Sequence, residues 1–146
     1  DEAEGMYRKA IEVKPNDPAG YQFLAGYFNR QGEFDKTMEA FQQRADLEPN
    51  NPEAWHVMAS YYYEKAYKDK TLKRDVAMKY VMDGLAAEDK ALAINPEYFE
   101  AVTYKNLLLR VQASLERSPA DQKRLIAEAD ALRERALALQ AKQGTK

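Results

Sequence analysis

His56 is the only histidine in the 146-residue chain, and cysteine is absent. Side-chain chemistry is narrow from the outset, because thiolate nucleophiles, thiolate metal sites and disulfides are excluded by composition. A metal centre would need His56 joined by carboxylates from other helices, and no spacing of the H-E-x-x-H kind supports one. Aspartates and glutamates are spread along what read as exposed helical faces. Serine chemistry lacks a nucleophile-elbow motif, and "GYFNRQGEF" reads as a helix and turn with no phosphate-binding glycine loop. The expectation is a solvated or hydrogen-bonded His56, no catalytic residue, no metal and no cofactor.

What remains suited to a task is aromatic. The run "PNNPEAWHVMASYYYEKAY", Pro49 to Tyr67, holds a tryptophan, the histidine, a methionine and four tyrosines. Successive residues of an α-helix turn by about 100°, so Trp55, Ala59, Tyr62 and Ala66 form one stripe, and His56, Ser60, Tyr63 and Tyr67 a second beside it. The first stripe reads as core. Tyrosines on the second would offer large, stiff contact area with a hydrogen-bonding tip, a composition that favours recognition. Tyr63 and Tyr67 could equally pack on the helix that follows Pro96, and the spacing leaves both readings open.

Composition bounds the partners. Hydrophobic residues make up 45% and charged residues 32%, as in a soluble, helix-rich domain. The 22 Lys and Arg against 24 Asp and Glu leave a formal charge of -2, so no whole-chain field favours nucleic acid or an anionic membrane. No apolar run approaches the roughly 18 residues of a membrane span, and the acidic opening "DEAEGMYRKA" lacks a signal-peptide profile. No membrane insertion is expected, and cytoplasmic and exported locations both fit. A first residue other than methionine suggests a piece of a longer polypeptide.

Three segments announce a repeat: "EVKPNDPAGY", "DLEPNNPEAW" and "AINPEYFEAV". Pro15 and Pro49 are 34 residues apart, and over that period Tyr21, Leu24, Ala25 and Phe28 fall on Trp55, Met58, Ala59 and Tyr62. Ala3, Tyr7 and Ala10 fall on Thr37, Phe41 and Arg44, with Gly32 and Phe34 in the turn. This pattern resembles the tetratricopeptide repeat, W-x2-L-G-x2-Y, then A-x3-F, then P. The resemblance implies an all-α fold, a right-handed α-solenoid of antiparallel helix pairs in which small residues permit close approach and large ones fill the gaps. Thr37 and Arg44 depart from the usual alanines, so packing there must adjust locally.

Along that frame one domain, 1-146, is expected. Residues 1-15 hold the second helix of a truncated repeat, 18-49 a repeat, 52-96 a repeat with an extended hairpin, 98-117 a degenerate repeat helix and 119-142 a C-terminal capping helix. Pro96 lies 47 residues beyond Pro49, and the thirteen extra residues read as a lengthening of both helices, to about Lys68 and from about Lys73 to Ile94. The hairpin tip carries Lys65, Lys68, Lys70, Lys73, Arg74 and Lys79 against Glu64, Asp69 and Asp75, a local excess of three positive charges. Ser118, Pro119 and Asp121 signal a helix start, and Leu125, Ala129, Leu132, Ala136 and Leu139 then recur at helical spacing. That stripe reads either as a cap on the last repeat or as a coiled-coil seam.

In the family the stripe one residue beyond the packing positions of each first helix faces a concave groove. The resemblance therefore implies a partner-binding surface of Gln22, Gly26 and Asn29, then His56, Ser60, Tyr63 and Tyr67, then Thr103, Leu107 and Arg110. The function it implies is a non-catalytic scaffold holding a peptide or helix of another protein. The alternative is an assembly or oligomerisation module, as in secretion- or pilus-type complexes, packing through solenoid ends or the C-terminal helix. The carboxylate clamp of chaperone-binding members is disfavoured, since Glu100 and Tyr104 stand where Lys or Arg would be expected.

Overall fold

The structure, a computed structural model, describes residues 1–144. Among them are seven helices: α1 (Glu2–Val13), α2 (Pro18–Arg30), α3 (Phe34–Leu47), α4 (Pro52–Lys68), α5 (Arg74–Ile94), α6 (Phe99–Leu115) and α7 (Pro119–Gly144). The class is all-α. Helix ends follow local chemistry. Asp1 caps α1 by accepting from the Glu4 amide at 3.1 Å, and Asp17 caps α2 by accepting from the Ala19 amide at 3.0 Å, with Pro18 in the first turn. Pro15, Pro49 and Pro96 each stand two residues after the last residue of α1, α3 and α5, where a helix cannot continue through a missing amide. Between α2 and α3 the chain reverses through Gly32 at φ +74, a left-handed conformation that glycine adopts without steric cost.

The chain forms two compact units, Asp1–Ala54 and Trp55–Lys146. In the first, α2 packs on α1 and on α3 around Leu24, Ala25, Phe28, Met38, Phe41 and Ala45. Arg44, at a position the repeat usually gives to alanine, is buried there. Its guanidinium is satisfied by Glu48 at 3.1 Å and Glu53 at 2.7 Å, so its aliphatic stem fills space while its charge is paired. Thr37, the other departure, donates its hydroxyl to the Glu33 carbonyl at 2.8 Å and is fully buried. Hydrogen bonding thus accommodates both polar substitutions.

In the second unit α6 packs on α5 and α7. Here α4 is 17 residues long and α5 21, against 13 and 14 for α2 and α3. Trp55, Met58 and Ala59 are buried on α4, and Lys90 lies 4.3 Å from the centre of the Trp55 ring. Gly84 marks a close approach: a Cβ there would stand 3.0 Å from Leu108 Cδ2 and 3.2 Å from Tyr62 Cβ. On α7, Ser118 accepts from the Asp121 amide at 3.3 Å, while the Asp121 carboxylate lies 3.7 Å from Arg124. Leu125, Ala129, Ala136 and Leu139 are buried, and Leu132 packs against Val102, Ala136 and Leu139. The stripe of α7 is covered within its own chain.

Candidate functional site

The second stripe of α4 divides into two environments. Near its start, His56 is nearly enclosed. Its Nδ1 lies 2.9 Å from Glu88 Oε2, and its ring meets Tyr98 and Tyr104 edge-on, with centroids 5.8 and 5.0 Å away. Of the two expected states the structure has the hydrogen-bonded one. Glu88 corrects the expectation that the carboxylates lie on exposed faces, since it is fully buried in α5 and its Oε1 has no hydrogen-bond partner among the described residues. Burial penalises the charged form and pushes its carboxyl from 4.5 up to about 7, against the opposing pull of His56, while neighbouring Asp89 adds to the rise. The sequence held a signal for this: Ala77, Val81, Gly84, Glu88 and Ala91 recur at helical spacing, and Glu88 is the one charge on that buried stripe.

Two helical turns further, the stripe opens. Tyr63 and Tyr67 stack with centroids 5.5 Å apart and planes 12° from parallel, and Tyr104 of α6 meets Tyr63 edge-on at 5.6 Å. Burial pushes the Tyr63 phenol up, with the Tyr67 and Tyr104 hydroxyls adding to it. Tyr67 is 51% exposed. Tyr63 thus packs on the helix after Pro96, while Tyr67 presents its ring outward. The pair forms the wall of a pocket of about 570 Å³. Its apolar lining comes from Ala66 and Leu72, from Ala77 of α5, and from Leu107, Val111 and Leu115 of α6, while Asp69, Lys70, Arg74, Arg110 and Ser114 supply the polar part.

The other expected surface residues are placed differently. Leu107 and Arg110 line the pocket with the two tyrosines, but the Arg110 guanidinium is occupied by Asn106 at 2.8 Å and Asp130 at 2.7 Å. Ser60 donates its hydroxyl to the Val57 carbonyl at 2.7 Å, and Thr103 keeps a buried hydroxyl oxygen with no hydrogen-bond partner among the described residues. Neither lines the pocket. In the first unit Gln22 and Asn29 are exposed on α2, and the guanidinium of Arg30 lies 3.4 Å from where a Cβ of Gly26 would stand. Sequence reasoning missed Leu72, Lys70 and Arg74 as pocket residues, because the turn after α4 folds back by contacts that helical periodicity does not encode. Arg74, for example, donates Nε to the carbonyl of Leu115, 41 residues away.

No group of three or more potential metal-ligating side chains occurs among the described residues. No helix among them is long and apolar enough to cross a membrane.

Comparison with known proteins agrees with the helical architecture. Residues 18–61 match the model of the tetratricopeptide repeat. A thermophilic TPR protein of Thermus thermophilus has a similar structure, with a TM-score of 0.56 at 19% identity over 95% of this chain and 78% of that one. MamA matches at a TM-score of 0.36 and 16% identity, over 96% of this chain and 88% of the other. No curated protein sequence matches the chain. The fold is therefore that of helical repeat proteins, and residues 18–61 carry the match to the tetratricopeptide repeat. Such domains typically bind proteins, and the family is generally non-catalytic.

Proposed function

We propose that the chain is a non-catalytic interaction scaffold whose second unit holds a peptide or helix of a partner protein on the surface formed by α4 and α6. The observation that carries this reading is the stacked pair Tyr63 and Tyr67 beside an apolar pocket of about 570 Å³, a volume that exceeds any one side chain and suits several residues of a bound segment. A half-exposed stacked tyrosine is costly to leave bare and gains most when a partner covers it. Tyr67 is the anchor on which to test the reading, because Tyr63 also packs on Tyr104. Tyr67→Ala should weaken binding of a partner recovered with the intact protein by roughly 2 kcal/mol, about 30-fold, with little change in thermal stability. Unchanged affinity in that variant would remove the pocket from the binding surface.

Assembly is the second reading, and one observation favours it. In the first unit Met6 and Val13 of α1 and Phe23 of α2 are exposed at 69%, 73% and 62%, apolar side chains that association would cover. Sedimentation of Phe23→Asp against the parent protein separates the two, since only assembly through this surface predicts a change in oligomeric state.

A further inference from the structure

The rim of the pocket carries charge that the chain does not neutralise. Lys70 folds back from the turn after α4, donating Nζ to the Tyr67 carbonyl at 2.7 Å and lying 4.9 Å from the centre of the Tyr67 ring. Arg74 is tethered through Nε to the Leu115 carbonyl, which leaves its two terminal nitrogens without a hydrogen bond among the described residues. Neither cation has a carboxylate partner among those residues. The other charges at the rim are already balanced. Arg110 pairs with Asp130, and Asp69 pairs with Lys65 at 3.0 Å while accepting from the Thr71 amide and hydroxyl, which together hold its carboxyl down to about 2. Two uncompensated positive charges thus stand beside an apolar pocket with an aromatic wall.

We infer that this pocket takes a short acidic segment of a partner chain, in which a bulky apolar side chain enters against Tyr63 and Tyr67 and a neighbouring carboxylate meets Lys70 and Arg74. The inference rests on the binding surface proposed above and adds the chemistry of its occupant. Apolar contact alone would accept many sequences. The cations select among them, because a carboxylate brought to an unpaired guanidinium or ammonium forms a charge-assisted hydrogen bond, whereas a basic flank is repelled. Arginine suits the role in particular, since its Nε tether fixes the plane of the guanidinium before any ligand arrives and leaves two donors side by side for the two oxygens of one carboxylate. The chain as a whole is acidic, with a formal charge of -2, so the discrimination comes from these two residues and not from a general field.

The test uses two labelled ten-residue peptides that differ only at the flanks of a central phenylalanine, aspartates in one and asparagines in the other, with binding to the full chain read by fluorescence anisotropy. The aspartate peptide should bind at least about tenfold more tightly at low salt, and the gap should close as salt is raised. Lys70→Ala combined with Arg74→Ala should abolish the gap, and Tyr67→Ala should weaken both peptides alike. Lys70→Ala alone serves if loss of the Arg74 tether disturbs folding, and it should narrow the gap. Equal affinity of the two peptides for the parent protein would overturn the acidic preference and leave the tyrosine surface standing. A gap that survives in the cation variants would overturn the assignment of Lys70 and Arg74. Failure of both peptides to bind, with a recovered partner still sensitive to Tyr67→Ala, would overturn this occupant alone; insensitivity of that partner would bring down the surface as well.

Discussion

At the scale of single residues the most consequential feature is the buried carboxyl of Glu88. Its contact with His56 fits either charge state of the carboxyl: with Glu88 neutral its hydroxyl can donate to Nδ1, and with Glu88 ionised the Nδ1–H tautomer of His56 can donate to it, at the same 2.9 Å. What changes is the cost of burying charge. The unfolded chain releases the Glu88 proton near 4.5, whereas the folded chain holds it to about 7, so the folded state binds more protons between those values. The contribution of Glu88 to stability is therefore complete below about pH 4.5, falls through the interval, and is lost above about pH 7. Glu88→Gln keeps the shape and removes the titration. Relative to that variant, the parent protein should lose on the order of 3 kcal/mol between pH 4.5 and 8, measured by denaturant unfolding, and a difference independent of pH would show that Glu88 is not buried as described. Glu88 was visible in the sequence as a charge on an apolar stripe, but its partner was not, because His56 and Glu88 are 32 residues apart and no local rule joins them.

At the scale of elements, the prolines after α1, α3 and α5 and the Ser118 cap before α7 are local signals, which is why the all-helical class was legible before any coordinates. The candidate site was legible in part for the same reason. Tyr63 and Tyr67 share a face by helical spacing alone, and the structure stacks them. Lys70 and Arg74 belong to the turn, where direction is set by long-range tethers, so the sequence shows their charge but not their place beside the pocket. Close approach is another element-scale property that composition conceals. Gly84 sits where α5 comes nearest Leu108 of α6 and Tyr62 of α4, with room for a hydrogen and little else. Gly84→Val should therefore destabilise the second unit by about 1 to 3 kcal/mol through overpacking, and should do so despite the entropic gain of replacing glycine within a helix. An unchanged midpoint of thermal unfolding would mean that Leu108 and Tyr62 can retreat without loss.

At the scale of the whole molecule, a likeness of fold at 19% identity shows how little of the sequence must be kept for this architecture. Spacing of small and large residues suffices, because each helix is asked only to fit its neighbours. Arg44 and Thr37 illustrate the tolerance: two polar residues replace alanines, and local partners absorb them. If packing is nearest-neighbour in this sense, damage should stay where it is made. Leu24, 2% exposed in the core of the first unit, is the place to make it. Leu24→Ala should cost about 2 to 5 kcal/mol by losing buried area and leaving a cavity. Native-state hydrogen exchange should then show faster exchange for the amides of α2 and α3, while those of α6 and α7, whose cores draw on Val102, Leu125 and Leu139, keep their protection. Equal acceleration along the entire chain would instead reveal a single cooperative unfolding unit, in which the two compact regions share one stability and a substitution in either is felt throughout.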